Sequence, residues 1–347
     1  MKSEVSSPDE DAGLETVLSG TNLTTDGGGV TLAAPPPVRP SASHRKGTGW
    51  RVRFELMFLI GPGVIVFIFF VILPVIMAAY YGFFKWNGYG SPTNFIGLRN
   101  YVTIFQDPKF RSALGHNIVI AIASLVTQGP IAFLLALLLN RKMRGRSVFR
   151  VLIFVPYVIS EVIAGTGWSL ILQTNGALNG LLTKIGLGGF TQDWLSNSSL
   201  AVWVLVAILG WKYIGFAIIL FMAGMQGIPE ELTEAASIDG ASYWQIQRYI
   251  TLPLLGPTIR IWIFLSIIGS MQLFDLINVI WGHLVAFTAG TSTMAEYMYS
   301  KGPGAGTWGY SNAVAVVIFL VSLVIALVYQ RFVLRRDTKG ALTGGDA

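Results

Sequence analysis

Apolar stretches longer than 18 residues recur along this 347-residue chain, and a soluble fold has no interior for so many of them. One of them, from Ile118 to Leu139, is nearly uninterrupted. At about 1.5 Å rise per residue, a helix through it covers the ~30 Å hydrocarbon layer of a bilayer. Six spans are expected, at about 55–84, 114–139, 148–172, 200–224, 258–281 and 311–333. None shows the two-residue alternation of a lipid-facing strand, which excludes a closed β-barrel. The expected fold class is therefore an all-α membrane protein with six transmembrane helices, forming one membrane domain over 48–337. Composition agrees: 53% of residues are hydrophobic and 12% charged, where soluble domains carry about 25% charged.

Residues 1–47 are rich in Ser, Thr, Gly, Pro and acids, and no apolar period is sustained there, so a disordered tail is expected. Residues 338–347 form a second short tail. A cleaved signal would need a short apolar core after a basic start, whereas the first strong apolar run begins near Glu55 and is long enough to remain a span. The net charge of +6 does not mark a nucleic-acid surface, because the basic residues sit between apolar runs. Arg45, Lys46, Arg51, Arg53, the turn from Arg141 to Arg150, Arg248, Arg260 and the cluster Arg331, Arg335, Arg336 and Lys339 fall on one side of a six-span layout. They outnumber Lys85, Arg99, Lys109, Arg111, Lys184 and Lys301 on the other. The positive-inside bias then places both termini and the 225–257 loop in the cytoplasm. With no Cys and His only at 44, 116 and 283, neither a disulfide framework nor a metal centre is expected.

Inside the spans three ionisable residues stand out: Glu161, Lys212 and Asp275. Such groups are costly in lipid and usually face a cavity or each other. Lys212 could equally snorkel to an interface, or pair with Glu161 for purely structural reasons. Trp86, Tyr89, Trp168, Trp194 and Trp308 near span ends suit the interfacial belt, and Pro62, Pro74, Pro130 and Pro156 are candidate kink sites. No internal repeat is visible, which disfavours an inverted-repeat carrier.

The stretch 226–257 contains GIPEELTEAASIDGASYWQIQRYITLPLLGP and is too polar to span. Its chemistry specifies two short helices joined by a sharp turn. Pro229 suits a first helical position, and Glu230, Glu231 and Glu234 favour the positive end of the first helix. Gly240 supplies the turn, Ser242 with Gln245 forms a capping-box pattern, and Pro253 marks entry to the fifth span. Read alone, this is an amphipathic connector. Yet Glu234, Ala235, Ala236, then Gly240, then Ile250, Leu252 and Pro253 stand at the spacing of a known signature. The stretch resembles the coupling loop, between helices 4 and 5, of permease subunits of binding-protein-dependent ABC importers. NFIGLRNY with DPKF, FVPYVISEVIAGTGW with GALNGLL, and GYSNA extend the likeness over about 55–335, toward the carbohydrate branch with its maltose- and glycerol-phosphate-type first permeases.

The resemblance implies a bacterial plasma-membrane subunit that forms half of an uptake pathway for a sugar or oligosaccharide. Its implied partners are a second homologous permease in a heterodimer, two cytoplasmic ATP-binding-cassette ATPases and an extracytoplasmic solute-binding protein. The loop helices would dock on an ATPase, with Glu234 as the charged contact and Ala235 and Ala236 allowing close approach. Asp239 and Gly240 would fix the bend, and Ile250, Leu252 and Pro253 would pass motion into the fifth span. The chain has no GxxxxGK[ST] phosphate loop, so ATP is left to the partner, no cofactor or catalytic residue is expected here, and the chain is not itself an enzyme. Aligned from the loop, Tyr213, Phe216, Ser266, Ser270, Gln272 and Asp275 fall where maltose-type permeases line their sugar site. Aromatic and Ser residues on membrane helices also serve as packing contacts. Two other readings stay open: an ion-coupled secondary transporter using Glu161 or Asp275, and a membrane scaffold that uses the loop as a platform.

Overall fold

The computed structural model describes residues 50–141 and 144–334, so the expected tails 1–47 and 338–347 lie outside the described residues. By contacts the chain divides into two units at Gly61 and Pro62. The described part of the first is the opening turns of one helix, and all packing given below lies within the second. In chain order the helices are α1 (Trp50–Phe67), α2 (Leu73–Tyr81), α3 (Arg99–Gln106), α4 (Pro108–Asn140), α5 (Arg146–Val158), α6 (Glu161–Leu172), α7 (Ala177–Lys184) and α8 (Ser198–Met225). There follow α9 (Glu230–Ile238), α10 (Tyr243–Ile246), α11 (Leu252–Leu254), α12 (Gly256–Met271), α13 (Asp275–Thr288), α14 (Met294–Lys301) and α15 (Trp308–Tyr329). Among the described residues there is no strand, only an isolated bridge between Phe84 and Phe95.

Five stretches are long and apolar enough to cross a membrane: Phe54–Tyr81, Pro108–Asn140, Ser198–Met225, Gly256–Thr288 and Trp308–Val333. A sixth is made by α5 with α6 and α7, which meet at a 95° bend. The sequence leads one to expect a single helix over 148–172, and the break has a local cause. Pro156 withdraws one backbone donor near the end of α5. Ile159 and Ser160 then turn extended, and the Ser160 hydroxyl accepts from the Val162 N–H at 3.2 Å to start α6 afresh. The fifth span is likewise broken between α12 and α13, at Gln272, Leu273 and Phe274. Polar caps start two of the other long helices, α4 and α8. Asp107 accepts from the Lys109 N–H at 2.8 Å ahead of α4, and Asn197 accepts from the Ser199 N–H at 3.0 Å ahead of α8.

α4 and α8 share the most extensive contact and form the centre of the bundle, with α5 against α8 and α12 against α4. Lipid is as apolar as Leu, so helices here gain little from hydrophobicity and much from close approach. Small residues supply that approach. Ala132, Ala136 and Ala217 are fully buried. A Cβ added at Gly129 would stand 2.6 Å from the Trp262 ring, and one at Gly224 would stand 2.4 Å from the Thr258 hydroxyl. On the far side of α4, Asn117 is fully buried and ties three elements. Its amide donates to the Ser270 carbonyl at 2.5 Å and accepts from the Met294 N–H at 2.9 Å. Thr293 donates to the Leu273 carbonyl at 2.7 Å, which satisfies a backbone group exposed by the α12–α13 break.

Candidate functional site

A cavity of about 250 Å³ opens between α4, α5, α8 and α12. Four residues singled out from the sequence share its wall: Tyr213 and Phe216 from α8, and Ser266 and Ser270 from α12. They meet because 213 and 216, like 266 and 270, are three or four residues apart on one helix face. Tyr157 of α5 stacks on Phe216 at 5.3 Å between ring centroids and meets Tyr213 edge-on at 6.1 Å. Every side chain on this wall is uncharged. The arrangement offers aromatic faces beside hydroxyl and amide groups, which suits a neutral polyhydroxylated solute.

None of the three intramembrane charges lines the cavity, and all three act on Tyr213 of its wall. The Tyr213 hydroxyl donates to the Glu161 carboxylate, so Glu161 braces a wall residue from the first turn of α6. Lys212 is buried and its ammonium donates to the Ile159 carbonyl at 2.6 Å, at the α5–α6 break. No ion pair joins it to Glu161; it serves backbone freed by the broken span. Gln272 is exposed at the end of α12 and Asp275 is exposed at the start of α13. Neither is among the residues that line the cavity, although the Asp275 charge acts on Tyr213 of its wall. Sequence reasoning passed over Ser124, Gln128 and Tyr157, which also line the cavity. Gln128 is 6% exposed and makes no side-chain hydrogen bond among the described residues. Its signal was available, as an amide in the middle of the long apolar run of the second span.

The 226–257 stretch forms a second feature. α9 ends in a Schellman turn: the Ala241 N–H bonds to the Ala236 carbonyl at 2.9 Å and the Gly240 N–H to the Ser237 carbonyl at 3.1 Å. Gly240 has φ +83°, the left-handed region that Gly alone enters without strain. Asp239 is the C-cap of α9, and Pro229 is its N-cap, one position earlier than the sequence suggested. Ser242 and Gln245 make the capping box that starts α10, with the Ser242 N–H donating to Gln245 at 2.7 Å. From α10 the chain stays helical through a π turn, Gln247–Thr251, into α11 and α12. Glu234, Ala235, Leu252 and Pro253 are exposed, and Ala236 and Ile250 are half-buried. Ile238, Tyr249 and Trp244 are also exposed, at 86%, 69% and 64%, an unusual apolar display on so polar a loop.

A third cluster lies at the starts of α4 and α15, where they meet α14. The Tyr297 hydroxyl donates to Asp107 at 2.5 Å and lies 2.8 Å from the Tyr310 hydroxyl, and Lys301 stands 3.7 Å from Asp107. Burial pushes the Asp107 carboxyl up. The Tyr297 hydroxyl, the Lys109 N–H and the Lys301 and Lys109 charges outweigh burial and hold it below its ordinary value. Beside Tyr297 in sequence, Glu296 is fully buried with neither carboxylate oxygen hydrogen-bonded, and burial raises it to about 7. Among the described residues no group of three or more His, Asp or Glu side chains could hold a metal.

A bundle of apolar helices around an uncharged solute-sized cavity defines a multi-pass membrane protein built to pass small molecules. The chain belongs to the family described as binding-protein-dependent transport system inner membrane component, whose model matches residues 128–337. It is an ABC-transporter permease subunit and not an enzyme. It is 32% identical to the arabinooligosaccharides transport system permease of Bacillus subtilis, over 84% of this chain and 94% of that one. To the diacetylchitobiose uptake system permease of Streptomyces coelicolor it is 33% identical, over 86% of each. It also superposes with a TM-score of 0.71 on a chain of a bacterial alginate ABC transporter solved in complex with an alginate pentasaccharide-bound periplasmic protein. That match is 26% identical and covers 82% of this chain and 96% of that one. This membership leaves the ion-coupled carrier without support.

Proposed function

We propose that this permease forms half of the membrane pathway by which a bacterial plasma-membrane importer takes up a neutral sugar or oligosaccharide. The substrate is handed over by an extracytoplasmic binding protein. A second homologous permease completes the pathway, two cytoplasmic ATPases drive it, and both termini of this chain lie in the cytoplasm. The observation that carries the substrate class is the uncharged wall of Tyr157, Tyr213, Phe216, Gln128, Ser266 and Ser270. Sugars present apolar ring faces edged with hydroxyls, which such a wall complements, whereas no charged side chain lines it to pair with a phosphate or uronate. The volume of about 250 Å³ is below the ~300–1,000 Å³ usual for a ligand pocket, in keeping with a chamber completed by the second permease. The names of the relatives support the same class.

The exposed Ile238, Trp244 and Tyr249 support docking of the loop on an ATPase. Glu234, Ala235 and Ala236 would lie in that contact, Asp239 and Gly240 would hold its bend, and Ile250, Leu252 and Pro253 would lead into the continuous helical path to α12. Closure of the ATPases at ATP binding would then move α12, and with it the Ser266 and Ser270 wall, as one lever. ATP-dependent uptake in vesicles holding this chain with its partner subunits tests the proposal, with neutral oligosaccharides set against uronates. Expected is uptake of neutral sugar that requires ATP and every partner and is lost in Glu234→Ala with assembly intact. Uptake by this chain alone on an ion gradient, or a preference for uronates, overturns it.

A further inference from the structure

A second groove, of about 410 Å³, runs along α5 and α8 and shares no lining residue with the central cavity. Its wall is apolar, with Phe154, Ile218 and Met222 along it, except at one end, where Arg150 and Gln226 stand. Arg146 lies one turn before Arg150 on the same face of α5. The Nε atoms of both guanidiniums are buried without a hydrogen-bond partner, and neither side chain forms an ion pair with a described residue. At the other end α5 and α8 touch closely: a Cβ on Gly215 would stand 2.5 Å from the Ile153 carbonyl oxygen.

Length and charge together indicate what fills this groove. From Gly215 to Gln226 it follows α8 for about 16 Å at the ~1.5 Å helical rise. That matches one leaflet, half of the ~30 Å hydrocarbon thickness. Side chains on a helix lean toward its N-terminus, so the heads of Arg146 and Arg150 gather at the end of α5 where α8 runs out, at the membrane boundary. A second apolar helix in the groove would leave two guanidiniums buried without a counter-charge, which is costly. A free inorganic anion would satisfy them and leave the apolar wall empty. A phosphate on an acyl chain does both, since guanidinium matches phosphate with paired donors.

We propose that this groove holds one anionic phospholipid of the surrounding leaflet, with its acyl chain along Phe154, Ile218 and Met222 and its phosphate on Arg146, Arg150 and Gln226. The site is independent of what the permease transports. Native mass spectrometry of the purified full-length chain in mild detergent tests it, with phosphatidylglycerol or phosphatidylcholine added and inorganic phosphate as competitor. Wild type is expected to retain one phosphatidylglycerol in preference to phosphatidylcholine. Arg146→Gln with Arg150→Gln should bind it about thirtyfold more weakly, from two lost guanidinium contacts. Ala223→Trp, which fills the groove and leaves both arginines in place, should lose it as well. The proposal is overturned if the double variant retains phosphatidylglycerol like wild type, if Ala223→Trp binds it unchanged, or if inorganic phosphate displaces it mole for mole.

Discussion

The 226–257 loop and the central cavity differ in how far apart along the chain their parts originate. In the loop, the bonds that set the shape join residues three to five apart: Gly240 to Ser237, Ala241 to Ala236, Ser242 to Gln245. The cavity gathers residues from Ile120 to Leu273, and its geometry exists only because α4, α5, α8 and α12 pack as they do. A locally determined element can therefore be damaged without loosening the bundle. A wall residue of the cavity cannot be changed without touching packing, hydrogen bonding or both.

The largest expected separation between the two regions comes from Gly240→Val. Its φ of +83° is strained for a β-branched residue, so the turn should rearrange. ATP-dependent uptake with the partner subunits should fall at least about tenfold. The melting temperature in detergent should hardly move, and a large drop in melting would show the loop to be part of the packed core. Gly129→Val should do the reverse. With the Trp262 ring 2.6 Å from the added Cβ, overpacking is expected to cost about 1–3 kcal/mol, read from thermal unfolding.

Tyr213→Phe sharpens the cavity side. It strips Glu161 of its hydroxyl donor and should cost roughly 1–2 kcal/mol while raising the KM for sugar uptake. Glu296 supplies a pH test away from both regions. Burial lifts it to about 7, so the folded chain holds a proton that the unfolded chain releases near pH 4.5. Its contribution is therefore fully present below about pH 4.5, declines as pH rises toward 7 and is lost above. Glu296→Gln should remove that decline and raise the melting temperature at pH 8 relative to wild type, with little difference at pH 4 to 5. The smallest effect is expected from Ser266→Ala, whose hydroxyl has no hydrogen-bond partner among the described residues. A two- to threefold weaker apparent affinity for sugar, about 0.5 kcal/mol, is anticipated from uptake titrations.

Much of the fold was legible because membrane spans and local turns are written in contiguous residues. The long runs ending at Asn140, Met225 and Tyr329 needed only hydropathy and length, and Gly240 and the Ser242–Gln245 pair needed only turn and cap chemistry. The family resemblance pointed to Tyr213, Phe216, Ser266 and Ser270, and the packing of α8 and α12 brings these four to one cavity. Less legible was the break at Ile159 and Ser160: hydropathy runs straight through it, and a proline inside a span is often tolerated. Gln272 and Asp275, which the family resemblance places with the serines, stand at the break after Met271 and are not among the residues that line the cavity.

By itself the sequence determined that this chain lives in lipid, where its helices run, and how its polar loop turns, because each of those depends on neighbours in the chain and on the solvent around them. Tertiary structure alone decided which polar groups are partnered. Lys212 meets a carbonyl at a helix break, Glu161 meets a tyrosine, Gln128 faces the cavity, and Glu296, Arg146 and Arg150 keep buried atoms without partners. Pairing depends on which helix faces come within 3 Å of each other, and that distance is set by small residues such as Gly129, Gly215 and Ala217 at crossings that no single segment contains.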